Sequence, residues 1–260
     1  MKKTALITGA SSGIGKEFAK IHAKTGGNLV IVARSKDKLL ALKEALEKEY
    51  KIHVSVIEKD LTEKDAAKEV FNFVKYSKIE IDYLINNAGF GGIGKFHERK
   101  LEEDLNMIQL NVVALTALTR LFLPTFVEKN SGKILNVSST ASLMAGPMQA
   151  VYFATKAYVT SFSNAIAEEL SETNVTVTTL MPGATETYFG KTSGMDKTSL
   201  FKNTADANSV AKDGYNAMLN GDLDVISGVS LAQKLMLKAI PITPKKVLLK
   251  QVKKMQDPNS

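Results

Sequence analysis

Tyr152 and Lys156 stand four residues apart in a stretch with helical periodicity, which places both side chains on one face about one turn from each other. A free phenol titrates near pH ~10, too high for a base at neutrality. An ammonium ~4 Å away favours the phenolate by ~4 kcal/mol at an effective dielectric of ~20, worth about three pKa units before desolvation works against it. The pair therefore predicts an acidified phenol that exchanges protons with a substrate oxygen. Tyr-x-x-x-Lys is a common spacing, and a core tyrosine beside a surface lysine is its bland reading. Its neighbourhood changes the balance: Ser139 closes an apolar run thirteen residues before Tyr152 and can donate to the same oxygen.

A second constellation suits a phosphate. The run Thr8-Gly9-Ala10-Ser11-Ser12-Gly13-Ile14-Gly15 follows a strand-like segment and opens directly into a helical one beginning at Lys16. Gly9, Gly13 and Gly15 allow a tight turn. Backbone N–H groups around Ser11, Ser12 and Ile14, at the positive end of a helix, would then meet a dinucleotide's pyrophosphate. Gly89-Phe90-Gly91-Gly92-Ile93-Gly94 also fits Gly-x-Gly-x-x-Gly, but the charged stretch 95–100 follows it and offers no helix N-terminus. That segment is expected to be a flexible wall of the substrate cleft, with His97 in solvent.

The nucleotide is read from the end of the second strand, where an acidic side chain would bond a ribose 2′-hydroxyl. Arg34 stands there instead, and its planar fork suits a 2′-phosphate, favouring NADP(H) over NAD(H). Asp37, the only carboxylate nearby, belongs to the first turn of a helix capped by Ser35.

These residues need elements to hold them. Short apolar runs at 4–8, 28–33, 52–57, 82–86, 133–138, 175–181 and 225–227 alternate with segments of 3.6-residue period such as Ile14/Phe18/Ile21 and Leu39/Leu42/Leu46. Strands separated by helices join as parallel crossovers. The expected fold class is α/β, one doubly wound parallel sheet of about seven strands with helices on both faces (a Rossmann fold). Ligands of such sheets gather at the strands' carboxyl ends, where every residue above falls. Residues 1–230 are read as one catalytic domain, 231–260 as its extension, and the aperiodic stretch 188–204 as a lid.

Composition excludes much else. The 260 residues are 44% apolar and 23% charged and hold no cysteine, so disulfides, thiolate nucleophiles and zinc knuckles are excluded. His22, His53 and His97 lack ligand spacing, and no metal site is expected. The N-terminus lacks the apolar stretch of a signal peptide, no apolar run reaches the ~20 residues of a membrane span, and the expected location is cytoplasmic. Net charge is +7, but residues 231–260 hold seven lysines and one acid, leaving 27 basic and 26 acidic residues elsewhere. A nearly neutral body argues against a nucleic-acid partner.

Taken together, the chain resembles the short-chain dehydrogenase/reductase family, in its dehydrogenase form of roughly 250 residues. The resemblance rests on Thr8-Gly9-x-x-x-Gly13-Ile14-Gly15, Asp60, Asn86-Asn87-Ala88-Gly89, Asn111, Ser139, Tyr152-x-x-x-Lys156 and Pro182-Gly183-x-x-x-Thr187, which span residues 4–187 in the family's order. It implies that Tyr152 is the acid/base and that Lys156 also holds the nicotinamide ribose. Ser139 would orient the carbonyl or hydroxyl, and Asn111 would anchor a proton-relaying water. It further implies that Asp60 meets the adenine amine, that Asn87, Ala88 and Gly89 follow the adenosine ribose, and that Thr185 and Thr187 meet the carboxamide and phosphate side. Asp60 also reads as a turn residue before Thr62, and Asp82 as structural.

The implied activity is NADP(H)-dependent interconversion of a small-molecule carbonyl and a secondary alcohol. Reduction of 3-oxoacyl chains on a carrier protein, and a non-catalytic NADP-binding regulator, are the alternatives. Phe90, Met144, Pro147, Met148, Tyr188 and Phe189 are candidate cleft residues. Helices around 105–126 and 152–170 would serve a homodimer or homotetramer. The tail reads as two amphipathic helices, with stripes Leu231/Leu235 and Leu248/Val252/Met255 against Lys246, Lys250, Lys253 and Lys254. It is expected either to cover the cleft or to make a peripheral membrane contact.

Overall fold

The protein is described from a computed structural model that covers residues 2–195 and 204–256. Seven strands form the centre: β1 (Thr4–Thr8), β2 (Asn28–Ala33), β3 (Val54–Glu58), β4 (Tyr83–Asn86), β5 (Gly132–Val137), β6 (Val175–Pro182) and β7 (Asp224–Ser227). They lie in the order β3-β2-β1-β4-β5-β6-β7, every neighbouring pair parallel. Helices α1 (Gly13–Lys24), α2 (Lys36–Tyr50), α3 (Ala66–Tyr76), α4 (Leu101–Ile108), α5 (Leu115–Glu128), α6 (Ala150–Glu169), α7 (Tyr188–Ser193) and α8 (Ala207–Asn220) make the crossovers. Two more, α9 (Leu231–Ala239) and α10 (Lys245–Gln256), follow the last strand. The expected doubly wound sheet is the observed one.

Alternation along the strands divides the core into two layers, because successive side chains point to opposite faces. On β1, Ala5 and Ile7 pack with Phe18 of α1 and Met218 of α8, whereas Leu6 packs with Val70 of α3 and Leu118 and Phe126 of α5. Phe18 and Phe126 are fully buried, and truncating either to alanine would cost about 3–5 kcal/mol. The order in which strands are added across the sheet reverses between β1 and β4. That switch opens a crevice at the carboxyl ends of the strands, which is where the phosphate loop and the reactive residues lie.

Two expectations need correction. One continuous helical run, Leu101–Glu128, is long and apolar enough by length and composition to cross a membrane. Its apolar content has a structural use, since α5 packs on α3 and the sheet while α4 packs on α6. The 188–204 stretch begins with the short helix α7, and its remaining part, 196–203, lies outside the described residues.

Candidate active site

A cavity of about 830 Å³ runs across the carboxyl ends of the strands, from Arg34 at one extremity to Tyr152 and Lys156 at the other. The loop after β1 forms its floor. Gly9 and Gly13 adopt φ of +69° and +52°, a region that favours glycine, and a Cβ on Gly13 would come within 2.9 Å of Thr187. Ser12 occupies the N-cap position of α1 without bonding the helix, so its hydroxyl stays available beside the free N–H groups. Ser11, Ser12 and Ile14 line the cavity, whereas Gly15 does not. A Cβ at Gly15 would sit 2.4 Å from both Gly9 O and Asn87 Nδ2, so its bareness allows the helix to close on the loop. This cradle of turned glycines, free hydroxyls and a helix N-terminus fits a pyrophosphate.

At the far extremity the Arg34 guanidinium is exposed and lies 3.6 Å from Asp60. Burial raises the Asp60 carboxyl, but hydrogen bonds from Thr62 and the Arg34 charge outweigh it and hold the group below its ordinary value. Asp60 thus makes the turn before Thr62 and lines the cavity as well. Ser35 sits at the N-cap of α2 but makes no capping bond. Instead it lines the cavity with Lys38, a second cation that sequence reading missed. The cavity therefore ends in a guanidinium, an ammonium and a free hydroxyl, a set suited to a phosphate monoester.

The middle wall comes from the strand ends. Thr8 Oγ1 accepts the N–H groups of Asn87 and Ala88, both at 3.0 Å, and Asn87 Nδ2 donates 2.9 Å to Thr8 O. These bonds fix Asn87, Ala88 and Gly89 along the cavity, and Thr8, a hydroxyl closing β1, was a signal available in the sequence. Pro182, Gly183, Thr185 and Thr187 face them from the end of β6. Thr185 Oγ1 donates 3.0 Å to Gly183 O.

Asn111 lies off the cavity, inside a π-helical turn (Gln109–Ala114) between α4 and α5. It is buried, its Oδ1 accepting from Phe90 N at 3.1 Å and its Nδ2 donating to Phe90 O and Thr155 Oγ1 at 2.9 and 3.1 Å. Those bonds hold the loop after β4 in place. Single-turn π insertions of this kind concentrate at functional sites.

Tyr152, Lys156 and Ser139 share the other end, with Tyr152 only 6% and Lys156 5% exposed. Lys156 Nζ donates 2.8 Å to Val137 O and lies 5.9 Å from the Tyr152 ring centroid. The expected acidified phenol is not found. Burial pushes Tyr152 up to about 12, against a lowering influence from Ser139, and burial pushes Lys156 down to about 8. Desolvation dominates both shifts because both groups are enclosed, and the amine is turned to the Val137 carbonyl. In this form the phenol is a proton donor.

Around Tyr152 the cavity is apolar, with Phe90, Met144, Phe153 and Phe189 in its wall, whereas the Tyr188 ring lies 5.5 Å from Lys38 Nζ. Pro147 and Met148, expected there, do not line it; Met148 has φ +72° and its carbonyl accepts from Gly94 N at 2.8 Å. The glycine-rich segment 89–94 is also not a loose wall. Arg99, ion-paired to Asp104 at 2.8 Å, donates to Ile93 O and occupies the space a Cβ of Gly92 would need. Val252 and Met255 of α10, with Met236 and Leu237 of α9, roof this end. Gln149 Nε2 donates to Gln256 Oε1, both residues buried, which ties the end of α10 to the start of α6.

The chain is similar to known proteins in sequence and in fold. The chain is 35% identical over 189 residues to an NADP-dependent 3-hydroxy acid dehydrogenase of Schizosaccharomyces pombe, covering 72% of this chain and 73% of that one. It is 34% identical over 192 residues to a short chain dehydrogenase of Pseudocercospora fijiensis, covering 72% of this chain and 61% of that longer protein. A solved short-chain dehydrogenase from Sphingobium yanoikuyae in complex with NADPH superposes with a TM-score of 0.83 at 30% identity, over 98% of each chain. Since the family profile of short chain dehydrogenases matches residues 3–198, from β1 to just beyond α7, this chain belongs to the short chain dehydrogenase family.

Proposed function

We propose that the protein is an NADP(H)-dependent oxidoreductase that interconverts a carbonyl compound and its secondary alcohol. One observation carries the reading: a single cavity joins a phosphate cradle and a cationic extremity to a buried Tyr152, Lys156 and Ser139. A bound nicotinamide dinucleotide supplies the two-electron reduction. Gly9, Ser11, Ser12 and Gly13 would hold its pyrophosphate, and Arg34, Ser35 and Lys38 would hold the 2′-phosphate. The loop 87–89 would follow the adenosine ribose between them, and Lys156, at the other end of the cavity, would hold the nicotinamide ribose.

Tyr152, protonated through the physiological range, donates its proton to the substrate oxygen in the reductive direction. Ser139 donates a second hydrogen bond that fixes that oxygen and draws off developing negative charge. Lys156 holds positive charge beside the phenol and limits the cost of the phenolate left behind. Removal of water by Phe90, Phe153 and Phe189 strengthens each of these interactions.

The apolar wall near Tyr152 favours a substrate with a bulky apolar body next to its carbonyl. The S. pombe relative's name supports 3-hydroxy acids as a further class to test. A purely regulatory NADP-binding protein has no use for a desolvated phenol beside an ammonium. Exposed Leu105, Val113 and Tyr158 on α4, the π turn and α6 support self-association through that face.

Tyr152→Phe removes the proton donor and little volume. Turnover of NADPH against a panel of ketones and 3-oxo acids should fall about 10²–10⁴-fold. NADPH affinity, read by fluorescence, should stay near wild type. Undiminished turnover in this variant, on a substrate the wild type reduces, refutes the mechanism.

A further inference from the structure

We infer that the outer side of α9, α10 and the turn between them is a docking surface for an anionic lipid bilayer. The inner side is committed elsewhere: Leu237 and Val252 are buried, and with Met236 and Met255 they roof the cavity. The outer side is apolar at its tips. Leu231, Leu235 and Ile242 are 81%, 70% and 85% exposed, and Val247 is also exposed. Leu231 and Leu235 lie four apart on one face of α9, flanked by Lys234 and Lys238, and Ile242 projects from the turn beyond them.

Charge around these tips is of one sign. Residues 231–256 hold seven lysines, all exposed, and no acidic residue. On the body of the chain the exposed Lys95 and Lys129 stand against Glu98 and Glu80. The composition also separates lipid from protein as the partner. Protein interfaces are enriched in aromatic residues and arginine and depleted in lysine, whereas 231–256 contains no aromatic residue, no arginine and abundant lysine. Protruding aliphatic side chains within a field of lysines match an interfacial helix, which sinks its apolar tips below the headgroups while flexible ammoniums reach the phosphates.

The placement has a chemical consequence, which rests on the function proposed above. The helices that would touch the bilayer are the ones roofing the apolar end of the cavity, so an apolar carbonyl compound dissolved in lipid meets the cleft at the membrane surface. Docking itself is independent of that reading and is measured without turnover.

The test is flotation of the full chain with vesicles of phosphatidylcholine alone, or of phosphatidylcholine with about 30% phosphatidylserine, at low and high salt. The chain should float with the anionic vesicles, about tenfold less with the neutral ones, and be released by high salt. The variants Leu231→Ser/Leu235→Ser/Ile242→Ser and Lys234→Glu/Lys238→Glu should each lose most of the recovery while reducing a water-soluble ketone at the wild-type rate. Failure of the wild type to float with anionic vesicles overturns the proposal, as does equal recovery of wild type and both variants. Sedimentation velocity supplies a third reading: if the leucine substitutions reduce particle size and leave flotation unchanged, the patch is an interface between copies of the chain. Vesicle binding without any ketone reduction would sink the redox reading alone.

Discussion

Gly91 presents its bare Cα to the ring of Tyr152: a Cβ there would lie 3.2 Å from Tyr152 Cδ2 and 2.9 Å from Phe189 Cζ. The segment that carries it is pinned by Arg99, whose guanidinium fills the space beside Gly92 and bonds Ile93 O. The loop therefore cannot retreat from an added methyl group, so the Phe189 ring must shift and the Tyr152 ring must give by a few tenths of an ångström.

Gly91→Ala is expected to lower kcat by up to about tenfold, since the small shift it forces on Tyr152 is a fraction of the ~1 Å misplacement that costs about 100-fold. NADPH affinity should change little, because Gly91 itself does not line the cavity. Steady-state kinetics with a cofactor titration check it, and a wild-type kcat would show that the contact with Tyr152 has no bearing on catalysis.

The enclosed ammonium predicts a pH dependence. Lys156 titrates near about 8 in the cofactor-free protein, while Tyr152 stays protonated up to about 12. Reduction needs both protons in place, so kcat/KM, which reports the free enzyme, should fall as pH rises through about 8. Whatever activity Lys156→Arg retains should lack that limb, because a guanidinium does not deprotonate. The stability effect has its own sign: an unfolded lysine keeps its proton to a higher pH, so the cost of the buried ammonium fades, and the fold gains stability, as pH rises above about 8.

Arg34 and Lys38 together predict the nucleotide preference. Arg34→Asp removes one cation and places a carboxylate beside Asp60, whose nearest oxygen is 3.6 Å from the present guanidinium. NADPH affinity should fall about 100-fold with NADH affinity nearly unchanged, the loss being that of a charge-assisted fork. Isothermal titration with both nucleotides decides it, and equal losses would falsify the assignment of the 2′-phosphate to this corner.

His22 predicts acid sensitivity remote from the site. It is fully buried between Tyr215 OH at 2.8 Å and Lys3 O at 3.1 Å, and burial lowers its pKa. Below the ordinary value of 6.5 the unfolded chain takes up a proton that the folded chain refuses, so stability should decline as pH drops. The urea midpoint should fall between about pH 7 and about pH 5, and His22→Gln, less stable throughout, should flatten that slope. An identical slope in the variant would assign the acid sensitivity to other groups.

The local content of this chain was legible without coordinates. Short continuous apolar runs marked the strands of a parallel sheet to within two residues at each end, because a strand buried on both faces must be apolar along its length. Gly9 and Gly13 marked the phosphate turn, since only glycine adopts their φ at no cost. Ser139, Tyr152 and Lys156 were placed at one end of the sheet by topology alone. Tertiary structure decided what depends on distant neighbours. The phenol rises where the spacing predicted a fall, because enclosure by segments far apart in sequence sets a desolvation that outweighs the Ser139 hydrogen bond. Gly91 and Arg99 matter through what they abut, and a Gly-x-Gly-x-x-Gly match becomes a clasp around a guanidinium instead of a phosphate loop. Gln149 and Gln256 meet across 107 residues, so the side of the tail that roofs the cleft, and therefore the side left to face outward, was fixed only when α10 closed on α6.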